Sequence, residues 1–165
     1  QAIFMSELRK KWEAVTAQYP DQNTQIIRLG VVFGRKGGIL PQMLLPIKMN
    51  LVKKIGHGRQ PCVWVHIQDV IRAIEFLMLH DTAERIFNVV APEKVSQNTF
   101  ADTACLLLNK KPLFTLPAVV MKTVLGEQSQ LILNGQYVQP KALQDAGFEF
   151  NFPTLKQALE DLIML

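Results

Sequence analysis

Arg35, Lys36, Gly37 and Gly38 form a basic, glycine-rich loop directly after an apolar run that ends at Phe33. Open α/β sheets receive ligands at the C-terminal ends of their strands. Cations and free backbone N–H groups placed there suit an anionic group such as phosphate, and an ordinary charged turn uses the same residues. His66 is isolated among apolar neighbours in Cys62–Ile67. That pattern fits a hydrogen-bonded structural histidine or one that faces a ligand. Asp69, at the start of the next apolar helix, can accept an orphan helix N–H, worth about 1 kcal/mol. No pair among His57, His66 and His80 has metal-ligand spacing, so no metal site is expected. Cys62 and Cys105 make neither a disulfide framework nor a metal motif, which suits a reduced, cytoplasmic setting.

These residues need elements to hold them. Phe4, Leu8, Trp12 and Val15 recur at helical spacing, and Pro20, Asp21 and Asn23 mark the turn that follows. Gln25–Phe33 is largely apolar and β-branched, which predicts one buried strand. Leu40, Met43, Leu44 and Ile47 outline a short helix with Pro41 in its tolerant first turn, while Pro46 should kink or stop it. Gly56–Pro61 is a glycine-rich turn and Cys62–Ile67 a short strand; the helix from Asp69 runs to Leu79, and Ile86–Val90 is a second buried strand.

Phe100, Ala104, Leu107 and Leu108 mark the next helix, and an extended piece surrounds Leu113–Leu116. Helical stretches are predicted over Ala118–Leu125, Glu127–Leu133 and Lys141–Ala146. Thr154 and Gln157 have the spacing of a capping box before the stripe Leu155, Ala158, Leu159, Leu162 and Ile163. Buried strands separated by helices predict an α/β fold with a parallel sheet. Two long strands are too few to cover so many helices, which suggests that further strands lie elsewhere.

Composition narrows the function classes. The chain has 165 residues, 48% of them apolar and 19% charged, with mean hydropathy +0.12, so disorder is excluded. The net charge of +4 comes from short pairs such as Arg35–Lys36, Lys53–Lys54 and Lys110–Lys111 without interleaved aromatics. A nucleic-acid surface calls for a concentrated basic stripe, so no nucleic-acid partner is expected. Apolar runs at Val70–Leu79 and Leu155–Leu165 are broken by Arg72, Glu75, Lys156, Glu160 and Asp161, so no membrane partner is expected either. Gln1–Met5 lacks the features of a signal peptide. A start at Gln1, without an initiator Met and at once in helix-like sequence, suggests a processed, truncated or partly ordered piece of a longer protein.

The ordered set of motifs resembles a known group. Arg28–Gly34 (RLGVVFG), Gly37–Leu40 (GGIL), Gly56–Gln60 (GHGRQ) and Trp64–Asp69 (WVHIQD) are similar to the C-terminal half of extended short-chain dehydrogenase/reductases. Trp12–Glu13, Ala91–Pro92, Leu125–Glu127, Gly135–Gln136, Gly147–Phe148 and Phe152–Pro153 narrow the resemblance to an epimerase-like subfamily. Its members are described as nucleoside-diphosphate-sugar epimerases, and some carry the label cell-division inhibitor.

The resemblance implies a Rossmann-like fold in a protein of roughly twice this length. Residues 1–93 would supply the last strands and helices of the NAD(P)-binding fold. Residues 94–165 would be a mostly helical substrate-side subdomain, and the dinucleotide-binding half would precede both. It also implies a cofactor, NAD or NADP with NADP preferred, lined on its nicotinamide side by the backbone of Leu29, Gly30 and Val31. Substrate contacts would come from Arg35, Gln42, Met43, Arg59, Gln60 and His66, for a small-molecule or nucleotide-sugar substrate.

Several family residues are missing. Pro61 stands where a third glycine would complete a phosphate turn begun at Gly56 and Gly58. The catalytic Tyr-x-x-x-Lys pattern fails at Tyr19, and at Tyr137 Pro140 separates it from Lys141, so no catalytic residue is assigned. Val31 occupies the position of a substrate-contacting Asn. Cys62 occupies that of an Arg that grips the diphosphate, and a thiol cannot make that bidentate contact. The chain is therefore expected to be inactive alone, the half of an epimerase or reductase; the alternative is a non-catalytic NAD(P)-binding regulatory or interaction protein. With the strands at Gln25–Phe33 and Ile86–Val90 side by side, the first keeps an open edge, which predicts a homodimer or strand-sharing assembly.

Overall fold

The apolar run over 25–33 forms two strands, β1 (Ile26–Leu29) and β2 (Val31–Phe33), with Gly30 between them. After them come α1 (Leu40–Lys48), β3 (Val52–Ile55), β4 (Trp64–His66), α2 (Ile67–Leu79), β5 (Ile86–Val89), α3 (Gln97–Leu107), β6 (Phe114–Leu116), α4 (Lys141–Asp145) and α5 (Leu155–Ile163). The structure, a computed structural model, describes residues 7, 10–15, 24–55, 58–112, 114–116 and 136–163. Residues 10–15 are helical, as the Trp12 and Val15 spacing predicts. Phe4, Leu8, the turn at 20–23, His57 and the helices predicted over 118–125 and 127–133 lie outside the described residues.

All the described strand pairings are parallel: β1 with β5, β2 with β4, and β3 with β6. Strands paired this way and alternating with helices are the expected α/β architecture. The partner of the first run changes at Gly30. Its N–H bonds the Val89 carbonyl at 3.2 Å, whereas the N–H of Val31 bonds the Val63 carbonyl at 2.8 Å. The N–H of Ala91 then bonds the Trp64 carbonyl at 2.7 Å, so β4 enters as a wedge between β2 and the chain leaving β5. A single strand over 25–33 is thus corrected to two, because β4 displaces β5 as the partner. β3 is an addition: Lys53–Lys54, read as a plain charge pair, sits in a strand that pairs with the extended piece at 114–116.

Side chains of β4 alternate between two apolar layers, as strand pleating requires. Trp64 points into a cluster with Phe33, Leu40, Met43, Leu44, Phe100 and α5 residues Leu155, Ala158 and Leu159. Val65 points the other way, among Val70, Ala73 and Leu77 of α2, with Phe87, Val89, Leu143 and Phe148. Phe33 and Trp64 stack with centroids 5.6 Å apart, and Phe100 tilts against Phe33 at 5.7 Å.

Pro46 does not stop α1 at once. It sits in the last turn, and the helix ends two residues later at Lys48. The start of α5 also differs from expectation. The Thr154 hydroxyl donates to Gln157 Oε1 at 2.7 Å, and the backbone N–H of buried Leu155 is taken by the Glu93 carboxylate at 2.5 Å. A carboxylate beside a helix N-terminus favours the macrodipole as well as the orphan donor.

Candidate functional site

β2 and β4 end in register, Phe33 opposite His66. The loop over 34–38 and the start of α2 therefore leave the sheet at the same C-terminal edge. Gly38 closes that loop with φ +74°, a left-handed conformation that glycine adopts at no steric cost, and a Cβ there would lie 3.2 Å from the Val32 carbonyl. At Gly37 an added Cβ would meet nothing within 4 Å.

His66 is 1% exposed and caps α2 itself: extended at φ −72°, ψ 139°, it accepts the Gln68 N–H on Nδ1 at 3.1 Å. That contact leaves the ring proton on Nε2, which donates to Asp161 Oδ2 at 3.2 Å. The ring also stacks on Phe152 with centroids 3.8 Å apart. Both nitrogens are thus engaged inside the protein. Asp69 does not cap the helix, a correction with a clear cause, because its carboxylate turns inward. Fully buried, it accepts the N–H of Asn151 and the guanidinium of Arg72 on Oδ1 at 2.9 and 3.0 Å, and the N–H of Phe152 on Oδ2 at 2.9 Å.

Burial holds the His66 pKa below its ordinary 6.5, and the bond to Asp161 only partly opposes this. Below about pH 6.5 the unfolded imidazole binds a proton that the folded one refuses, so stability is full above that pH and declines as pH falls toward the folded pKa. His66→Asn keeps a capping oxygen without a titrating ring. Its thermal midpoint should fall less than the wild type's between pH 7 and pH 5, and equal falls would show that His66 does not control the slope.

The other sequence candidates are dispersed. Leu29 is 51% exposed, and Gly30 and Val31 are half-buried at the β1–β2 junction. The Arg35 guanidinium donates to the Asp161 carbonyl at 2.6 Å. Gln42 is exposed in the first turn of α1, but its neighbour Met43 is buried in the core. Arg59 is exposed and Gln60 buried, and the carbonyls of Gly58 and Gln60 accept the first N–H groups of α3, from Asn98 and Gln97, at 2.8 and 3.0 Å. Cys62 is buried with its N–H on the Val95 carbonyl, and burial pushes its thiol up to about 12. Tyr137 is exposed ahead of α4, whereas Lys141 opens α4 and pairs with Asp145 at 2.8 Å, so the two share no helix.

Two residues, Asp161 at this edge and Trp64 at the opposite end of β4, were not among the sequence candidates for the site. Asp161 meets both His66 and Arg35, although only its place beside the α5 stripe distinguishes it in the sequence. The Trp64 indole N–H is buried and has no hydrogen-bond partner among the described residues. Away from the edge, Arg28 grips Glu13 through two bonds of 2.9 and 2.7 Å, fastening the helical segment 10–15 to β1.

A parallel α/β fold whose strands β2 and β4 end together at one edge defines a Rossmann-like class, and the sequence comparisons agree. Residues 9–90 match the NAD-dependent epimerase/dehydratase family, and residues 116–162 match a domain of unknown function (DUF1731). The first of these segments is therefore similar to epimerase-family domains, on a Rossmann-like fold. An epimerase family protein of Staphylococcus epidermidis is 38% identical over 162 residues, which cover 97% of this chain and 54% of that protein. The crystal structure of the human epimerase family protein SDR39U1 (isoform 2) with NADPH superposes with a TM-score of 0.86 at 34% identity, over 96% of this chain and 55% of that one. A nucleoside-diphosphate sugar epimerase from Corynebacterium glutamicum, 22% identical over 95% of this chain and 30% of its own, shares the fold with a TM-score of 0.69. The chain thus spans about half the length of the curated relatives it matches.

Proposed function

We propose that this chain is the substrate-side half of an NADPH-dependent epimerase or reductase acting on a small-molecule or nucleotide-sugar substrate. The observation that carries this reading is the superposition, at 34% identity over 96% of the chain, on a protein crystallised with NADPH. The local geometry supports it. β2 and β4 end together at the edge where parallel α/β sheets take ligands, and Leu29–Val31 lead into that edge.

Val63 and Val90 fill the space that a side chain at Gly30 would take, and Leu29, Gly30 and Val31 would face the nicotinamide through backbone groups. The cofactor supplies hydride chemistry when bound. Exposed Gln42 and Arg59 would touch substrate, with buried Met43, Gln60 and His66 shaping the wall behind them. In this reading residues 1–93 belong to the cofactor fold and 94–165 to the substrate side.

A second reading, a dinucleotide-binding protein without catalysis, is favoured by Cys62. A buried neutral thiol stands where the resemblance calls for a diphosphate-gripping arginine. A fluorescence titration of the whole protein carrying this chain with NADPH, and with NADH beside it, tests the cofactor. Saturable micromolar binding is expected, and binding of neither overturns both readings. Oxidation or reduction of bound cofactor on adding a sugar nucleotide would overturn the second reading.

A further inference from the structure

Asp161 joins three elements that are distant in sequence. Its carboxylate receives the Nε2 proton of His66 at the β4–α2 junction at 3.2 Å, and its main-chain carbonyl receives Arg35 Nη2 of the 34–38 loop at 2.6 Å. The carbonyl belongs to the last turn of α5, so the guanidinium also neutralises the negative end of the dipole. The carboxylate itself is 4.0 Å from the same guanidinium nitrogen. Arg35 and Asp161 are 40% and 27% exposed at their side chains, so their direct ion pair is weak. His66 is different: buried and stacked on Phe152, it fixes Asp161 from inside.

The order of dependence follows. His66 anchors the Asp161 side chain, the anchored residue presents its carbonyl, and the carbonyl holds Arg35. Both partners lie in the epimerase-family segment, whereas Asp161 lies in the stretch matching the domain of unknown function. We infer that Asp161 is a positioning residue through which the C-terminal segment sets the 34–38 loop for ligand. The ligand part of this inference rests on the NADPH reading above.

The test uses the whole protein and two variants. Asp161→Asn keeps an oxygen that accepts the His66 proton, and Asp161→Ala keeps none. Arg35 and Lys36 make the loop a tryptic site, and Lys48 of α1 reports general opening. Asp161→Ala should raise cleavage after Lys36 relative to Lys48 about tenfold and weaken NADPH binding about fivefold, with Asp161→Asn near wild type on both. A pure charge effect gives another pattern, because removing an anion strengthens binding of the anionic dinucleotide in both variants alike. That pattern, or unchanged Lys36 cleavage in Asp161→Ala, overturns the inference. A wild-type protein that binds no NADPH overturns the cofactor reading and the ligand part with it, while the Lys36 to Lys48 ratio still decides whether the loop is held.

Discussion

Asp69→Ala should destabilise the 165-residue chain by about 3–5 kcal/mol, a fall of roughly 6–20 °C in thermal midpoint. The carboxylate is fully buried and serves three donors: the N–H groups of Asn151 and Phe152 and the guanidinium of Arg72. Its removal strands two backbone donors and leaves Arg72 with its bond to the Glu149 carbonyl at 2.9 Å and its position 5.2 Å over the Phe148 ring. Each buried donor left without a partner costs about 1–3 kcal/mol, and the lost charge pair adds to that. Phe152 follows directly on Asn151 and stacks on His66, so the damage reaches the candidate site through backbone placement. Asp69→Asn, with one acceptor oxygen, should fall between the two. Urea denaturation measures both, and a loss under about 1 kcal/mol for Asp69→Ala would show that the three donors find other partners.

Asp69 also shows where the sequence stops being informative. An aspartate three residues into an apolar helix reads as a cap, because capping is a local interaction and spacing is local information. Besides Arg72, three residues on, its partners are the backbone N–H groups of Asn151 and Phe152, 82 and 83 residues away. His66 took the capping role because its ring reaches Gln68 from an extended residue, a geometry that composition does not encode. The α/β class and the parallel pairing of the 25–33 and 86–90 runs were legible, since β-branched apolar runs separated by helices admit few other arrangements. The break at Gly30 was not, because it depends on β4 arriving from beyond α1 and β3.

The same division holds at the site. The loop after Phe33 and its basic character could be read directly, and so could the lone histidine. That Arg35 is held by a helix end 126 residues away could not. Met43 and Gln42 illustrate the finer limit. They are adjacent in sequence, but the rotation of about 100° per helical residue sends the first into the core and the second to solvent. Cys62 was legible as a departure from the family pattern, and its burial adds the physical reason that it cannot stand in for a phosphate ligand.

Gly30→Val should be close to intolerable, costing about 3 kcal/mol or more, and Gly30→Ala about 1–3 kcal/mol. A Cβ at this position lies 3.0 Å from the Val63 carbonyl oxygen and 3.1 Å from Val90 Cγ1. The oxygen cannot retreat freely, because it accepts the 2.8 Å bond from Val31 that starts the β2–β4 pairing. Val90 is 2% exposed and has little room to turn. Alanine therefore forces either a longer ladder bond or a displaced valine, and the two γ-methyls of valine force both. Gly37→Ala is the control, since its Cβ meets nothing within 4 Å, and it should stay within about 0.5 kcal/mol of wild type. Guanidinium denaturation of the soluble variants measures these differences. Because Gly30 is the middle one of the three residues proposed to face the nicotinamide, Gly30→Ala should also weaken NADPH binding by the whole protein, while Gly37→Ala should not destabilise the fold. Equal stability of Gly30→Ala and Gly37→Ala would mean that β4 does not wedge against this junction as tightly as the 3.0 Å approach requires.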